Sequence, residues 1–291
     1  MTTLPFIHGL APEESIKLRE AVHLNVAAAL EEDIGAGDLT ASLLLADSKA
    51  TARVLTREDA VLCGQAWFDA CFKALDPDAV IHWLSLEGQA IKAGQVLCEI
   101  EGYARALLSA ERPALNFLQT LSAVATVTRR YADAIAGTGA MVMDTRKTLP
   151  GLRLAQKYAV KCGGGANQRV GLYDGILIKE NHIAASGGIK PVLSAAFALN
   201  AGVPIQIEVE NLHELEEALA AGATLILLDN FELDTLRKAV QLTAGRAVLE
   251  ASGNITLNNI RAIAETGVQR ISTGSLTKHV RAIDLSMRVA L

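Results

Sequence analysis

The chain reads as an α/β protein in two parts, and three features of the sequence say so. Alanine, leucine, valine and isoleucine supply the apolar mass while aromatics make up only 4% of residues, a balance that suits helix-rich α/β architecture. After about residue 113 the rhythm changes: short apolar runs alternate with helical stretches of roughly 15–20 residues, the signature of parallel βαβ units. Six such runs occur in series without a G-x-G-x-x-G after the first, which favours a closed or nearly closed barrel over a doubly wound sheet. At 291 residues, one or two domains are expected.

Each element has its own signal. Residues 13–33 carry Ile16, Val22, Val26, Ala29 and Leu30 at helical spacing, and Gly35 and Gly37 end the helix. Residues 50–62 alternate as a strand does, through Ala52, Val54 and Leu55 to Val61-Leu62. Residues 66–75 read as a helix, and 79–101 as short strands parted at Gly88 and Gly94. This first third is an antiparallel sheet with helices. A long helix follows from Pro113 through Leu121 towards Ala136. The six strand runs are Met141–Asp144, Ile176–Lys179, Ile205–Glu210, Leu225–Asp229, Ala247–Ser252 and Arg270–Thr273. The last segment, Ala282–Leu291, is expected to be a helix that packs back on the first part.

The formal net charge of −5 argues against general nucleic-acid binding, since the cations are clustered rather than spread over a face. No apolar run has membrane-spanning length, and the N-terminus lacks a basic region followed by an apolar one. Cys63, Cys71, Cys98 and Cys162 show no C-x-x-C spacing, as expected of buried thiols in a reducing compartment. A soluble, cytoplasmic protein is expected, without membrane or nucleic-acid partners.

The chemistry concentrates at the strand ends. Asp144-Thr145-Arg146-Lys147-Thr148 closes the first run with adjacent cations, which are expensive to desolvate unless anions meet them. Lys161, Arg169 and Lys179 follow, around Gly163-Gly164-Gly165. Later ends offer Glu208, Glu210 and Asn211, then Asp229 and Asn230, then Glu250. In a parallel barrel these ends share one mouth, where the active site lies. The pattern describes a pocket for a small polyanion. Ser252-Gly253-Asn254 and Thr273-Gly274-Ser275 are candidate phosphate-binding turns, because glycine lets backbone N–H groups approach an anion; ordinary βα turns with N-caps are the plainer reading. Glu208 and Asp229 end neighbouring runs and suit Mg²⁺ beside a phosphate, with acid–base work or simple capping as competing uses. His182 is more simply a structural hydrogen-bonder than a catalyst. No zinc spacing and no serine-hydrolase motif is present.

Taken together, Asp144-Thr145-Arg146-Lys147-Thr148, Cys162-Gly163-Gly164-Gly165, Gln168-Arg169-Val170-Gly171-Leu172, Ile178-Lys179-Glu180-Asn181-His182, Glu208-Val209-Glu210 and Leu228-Asp229-Asn230 resemble the quinolinate phosphoribosyltransferases. Glu250-Ala251-Ser252-Gly253-Asn254, Gly274-Ser275-Leu276-Thr277-Lys278, Glu111-Arg112-Pro113-Ala114-Leu115-Asn116 and the segments Glu32–Gly35 and Gly37–Thr40 match as well, so nearly the whole chain is covered in order. The resemblance implies an N-terminal α/β sandwich domain at 1–112 and an incomplete parallel α/β barrel at 113–276, with 277–291 returning to the first domain. It implies transfer of phosphoribosyl from phosphoribosyl pyrophosphate to quinolinate, with loss of CO₂, to give nicotinate mononucleotide. Lys147, Glu208 and Asp229 are then the catalytic residues, with Mg²⁺ on Glu208 and Asp229. Arg112, Thr145, Arg146, Lys147, Arg169, Lys179, Glu208, Asp229, Ser252, Gly253, Asn254, Thr273, Gly274 and Ser275 bind substrates. Arg112 belongs to a motif that reaches the other subunit's site, so a homodimer is implied.

One position departs from the family, which has histidine before the arginine of its H-R-x-G-L motif; here it is Gln168. Glutamine keeps a donor but carries no charge, so less positive charge is expected there. Two other readings remain open. A nicotinate-type phosphoribosyltransferase would need fewer cations and release no CO₂. A non-catalytic anion-binding paralogue would lack part of the metal or quinolinate set.

Overall fold

The computed structural model describes residues 12–290. In chain order the elements are α1 (Pro12–Ile34), β1 (Lys49–Thr56), β2 (Ala60–Val61), α2 (Gln65–Leu75), β3 (Val80–Trp83), β4 (Ala90–Ile91), β5 (Val96–Tyr103) and α3 (Ala104–Ala134). Then come β6 (Met141–Met143), α4 (Arg153–Cys162), β7 (Ile176–Ile178), α5 (Glu180–Ser186), α6 (Ile189–Ala198), β8 (Ile205–Val209) and α7 (Leu212–Ala220). The chain finishes with β9 (Leu225–Asp229), α8 (Leu233–Thr243), β10 (Val248–Ser252), α9 (Ile260–Ala264), β11 (Arg270–Ser272), α10 (Ser275–Lys278) and β12 (Leu285–Ala290). Two compact units result. Within the described residues, unit 1 holds 12–127, 149–163 and 280–290, and unit 2 holds 128–148 and 164–279.

Unit 1 is built on an antiparallel sheet of order β12-β1-β5-β3, with β2 and β4 as a separate pair. Leu18, Val22 and Val26 recur every four residues on α1 and are buried. The apolar face of α2 carries Trp67, Phe68 and Phe72, all essentially inaccessible. Each such side chain contributes about 1.5–3 kcal/mol by leaving water. Trp67 still satisfies its indole N–H, which donates to Asn25 Oδ1 at 3.2 Å.

Two expectations need correction here. The final segment is a strand: β12 pairs antiparallel with β1 from Thr51↔Ala290 to Thr56↔Leu285. The long helix starts at Ala104 rather than Pro113, which lies in its interior. Buried Ala104, Leu107, Ala110, Ala114, Leu115, Leu118 and Leu121 form one stripe through the proline. Burying that stripe outweighs the roughly 3 kcal/mol that an interior proline costs. The boundary expected at 112/113 therefore falls inside α3, whose residues pass from unit 1 to unit 2 after Val127.

Unit 2 is a six-stranded parallel sheet of order β6-β11-β10-β9-β8-β7. The last strand of the series, β11, lies beside the first, as in a barrel, but β6 and β7 are not hydrogen-bonded to each other, so the sheet stays open. The helix between them, α4, belongs to unit 1. Alternation along the strands gives two faces. Ile207, Val209, Ile226, Leu228, Leu249, Ala251 and Ile271 form a buried apolar face. Gln206, Glu208, Asp229, Glu250 and Ser252 occupy the other face. Among the described residues no helix is long and apolar enough to cross a membrane.

Candidate active site

A cavity of ≈ 180 Å³ opens on that polar face of unit 2. Thr145, Arg146 and Lys147 enter it after β6, Gln168 and Arg169 from the segment before β7, and Leu177 and Lys179 from β7 and its end. Glu208 of β8, Leu227 of β9, Glu250 and Ser252 of β10 and Ser272 of β11 complete the wall. Register sets their depth. Leu177 is level with Gln206; Glu208, Leu227 and Glu250 share the next row; Asp229 and Ser252 share the row nearest the strand ends.

Local hydrogen bonds explain how distant residues converge. Ala166 forms a parallel bridge with Met143, and its N–H donates to Val142 O at 2.9 Å. Asp144, fully buried, accepts from the Gln168 N–H at 2.8 Å. These contacts lay Gln168-Arg169 beside Thr145-Arg146-Lys147. Gly274 lets the Lys147 side chain lie close: a Cβ there would come within 2.9 Å of Lys147 Cδ and the lysine would have to shift. Thr277 Oγ1 donates to Lys147 O at 2.8 Å and fixes the same loop. Gly253 is required more strictly, since it sits at φ +94° and a Cβ would fall 2.1 Å from Asn230 Oδ1.

The cavity is rich in cations. Arg169 donates to Gly175 O at 2.9 Å. Its guanidinium is held below the ordinary 12.5, first by burial and then by repulsion from Arg146, with Asp174 opposing. Lys179 is matched internally: its Nζ lies 2.6 and 2.8 Å from the two oxygens of Glu208. Gln168 turns its amide Nε2 to Glu250, donating to both carboxylate oxygens, and lies 3.2 Å from Gln206 Oε1. Gln206 Nε2 also donates to Glu250, at 3.1 Å.

Of the residues singled out from sequence, Thr145, Arg146, Lys147, Arg169, Lys179, Glu208 and Ser252 line this cavity together. Asp229, Gly253, Asn254, Thr273, Gly274 and Ser275 stand at strand ends or following turns of unit 2 but do not line it. The Asp229 carboxylate accepts from Asn230 Nδ2 at 2.8 Å, and Thr273 Oγ1 accepts from the Ser275 N–H at 3.2 Å. Arg112 is exposed on α3, in unit 1. His182 Nδ1 accepts from the Lys179 N–H at 3.1 Å and caps α5, a structural use. Sequence reading missed Gln206, Leu177, Leu227 and Ser272. Gln206 had a signal, being a lone amide between two isoleucines with the same strand parity as Glu208. The two leucines had none that set them apart from core residues.

Oxygen and sulfur ligands come near one another at two places of interest among the described residues. Glu208 and Asp229 sit on the same face of neighbouring strands, as hard donors for a divalent cation. In unit 1, ligand atoms of Cys63, Glu87 and Cys162 lie within 4.8 Å of one another. There Glu87 already accepts from the N–H groups of Gly64 and Gln65 and from Tyr158 Oη, so most of its lone pairs are committed.

Residues 38–122 match the family described as quinolinate phosphoribosyl transferase, N-terminal domain, and residues 124–288 match its C-terminal domain. A Bacillus subtilis protein named "Probable nicotinate-nucleotide pyrophosphorylase [carboxylating]" is 43% identical over 263 residues, covering 89% of this chain and 90% of that one. The Nicotiana tabacum "Quinolinate phosphoribosyltransferase [decarboxylating] 1b" is 37% identical over 282 residues, covering 90% and 80%. The solved nicotinate-nucleotide pyrophosphorylase of Francisella tularensis superposes with a TM-score of 0.91 at 46% identity, over 94% of this chain and 97% of that one.

Proposed function

The chain belongs to the quinolinate phosphoribosyltransferase family and is a decarboxylating phosphoribosyltransferase of NAD biosynthesis; we propose that the cavity of unit 2 is where it works. It joins quinolinate to phosphoribosyl pyrophosphate, giving nicotinate mononucleotide, pyrophosphate and CO₂. The observation that carries the assignment to this cavity is the convergence of Arg146, Lys147, Arg169 and Lys179 on a space that Leu177 and Leu227 also line. A flat ring bearing two carboxylates needs both kinds of surface. Cations that repel one another, as Arg146 and Arg169 do, gain most when an anion arrives.

The reaction demands positioning more than covalent chemistry. The ring nitrogen's lone pair forms a bond to the anomeric carbon as the bond to pyrophosphate breaks, and the departing oxygen keeps that electron pair. Lys147 and the guanidinium groups hold the anionic groups and neutralise charge as it shifts. The nitrogen is now positive and draws electrons from its neighbours. The bond to the adjacent carboxylate then breaks, CO₂ leaves, and the ring carbon takes up a proton. Apolar Leu177 and Leu227 keep water from the ring's faces. Glu208, held by Lys179, and Asp229 have the donor chemistry that Mg²⁺ accepts alongside phosphate oxygens. When bound, Mg²⁺ would offset the charge of the pyrophosphate.

We further propose a homodimer in which Arg112, exposed on α3, serves the partner's cavity, as the family resemblance implies. The four cysteines are free and buried, which fits a reducing cytoplasm. Incubation with quinolinate, phosphoribosyl pyrophosphate and Mg²⁺ should release pyrophosphate and CO₂ in equal amounts. Excess chelator should abolish both, and undiminished turnover in chelator would remove the metal from the proposal. Turnover of nicotinate without CO₂ would favour the nicotinate-type reading instead.

A further inference from the structure

Glu250 is the odd residue in this cavity. It is fully buried and faces a space meant for anions. No lysine or arginine among the described residues lies within ion-pair distance of it. Its partners are two neutral amides, Gln168 and Gln206, which donate to both of its oxygens. An acceptor-only carboxylate is what such a clamp fits. Burying a carboxylate without a counter-ion is costly, and beside a dianionic substrate it is also repulsive. Such an arrangement is useful only if a positive charge appears next to it during the reaction.

The assigned reaction makes one. As the new bond forms, positive charge builds at the anomeric carbon and settles on the ring nitrogen, which stays cationic in the product. Glu250 stands in the cavity wall level with Leu227 and Glu208, with the cations that follow β6 and β7 to either side of it in the sheet. The geometry points to Glu250 as the counter-charge for this developing cation, with Gln168 and Gln206 as the residues that position it. Gln168 is then no weakened carboxylate-binding residue: its Nε2 is committed to Glu250, and its Oε1 can only accept. The quinolinate carboxylates are left to the cations. Gln206, which does not line the cavity, acts wholly through Glu250.

The inference rests on the assigned reaction, and wild-type turnover is the control that keeps the two apart. No wild-type turnover would sink the reaction; normal turnover with unaffected variants would sink only the role of Glu250. Glu250→Gln keeps the volume and removes the charge. Its kcat should fall about tenfold or more, as when other preorganised electrostatic groups are lost. Its KM for quinolinate should fall too, because a repulsive anion has gone. Binding measured without turnover should split the same way: weaker for nicotinate mononucleotide, a pyridinium, and tighter for quinolinate. Gln206→Met should reproduce part of this split, and Glu250→Asp should restore part of kcat. Unchanged kcat in Glu250→Gln, or parallel weakening of both ligands, would overturn the proposal.

Discussion

Asp69 shows how one buried carboxyl ties stability to pH. Its Oδ1 accepts from the Trp83 indole N–H at 2.9 Å. Burial is the largest influence and pushes the carboxyl up to about 6, against the Trp83 bond, with Glu87 adding to the rise and Lys73 opposing it. A carboxyl raised in the folded state contributes stability that is present below its ordinary 3.8 and lost as pH rises through about 6. Asp69→Asn keeps an acceptor for Trp83 and cannot ionise. It should match the wild type near pH 4 and exceed it at pH 8 by about 3 kcal/mol at most. Unfolding curves at both pH values decide this, and a constant difference between the proteins would show that Asp69 does not titrate near 6. The chemistry of the main site was more legible than that of Asp69, because a cation or carboxylate at the end of an apolar run has few structural excuses. Glu250 was legible as a polar strand end, but its partners were not. Gln168 and Gln206 are 38 residues apart; the bridge from Met143 to Ala166 and the bond to Asp144 place the first, and the register of β8, β9 and β10 brings the second to the same carboxylate.

Among the elements, the six parallel strands were readable because each is an apolar run closed by polar residues, and each boundary falls within a residue or two of expectation. Their spatial order was not readable, since nothing local says that β11 lies beside β6. The C-terminal strand was misread for a different reason. Leu285, Met287, Arg288 and Ala290 are good helix formers, and only Val289 is β-branched. Pairing with β1 overrides that preference, as strand propensity is largely a matter of neighbours. The strand should therefore matter to unit 1 well beyond its six residues. Truncation after Ile283 leaves the outer edge of β1 unpaired from Thr51 to Thr56, an open template for association. The expected result is a Tm lower by roughly 5–10 °C and a shift to larger species in size-exclusion chromatography. A monodisperse truncated protein of unchanged Tm would mean that β12 adds nothing to the sheet.

At the scale of the whole molecule, the chain is acidic, with 32 Asp and Glu against 27 Lys and Arg, yet its cavity gathers four cations. Attraction for polyanions is thus local to the mouth rather than a property of the surface. The proposed dimer extends that supply, because Arg112 stands in unit 1 while Lys147 lines the cavity of unit 2. If Arg112 serves the partner, each active site draws Lys147 from one subunit and Arg112 from the other. Arg112→Ala and Lys147→Ala homodimers should both be inactive. A hybrid dimer then contains one site with both defects and one site with neither. Random exchange at equal amounts makes half the dimers hybrid, so mixing should recover about a quarter of wild-type activity. Had Arg112 served its own subunit, every site in the hybrid would carry one defect and mixing would recover nothing. Differently tagged subunits, with hybrid formation verified by pull-down, make the measurement decisive. Recovery near a quarter supports the shared site, and verified hybrids without activity would remove Arg112 from the partner's cavity.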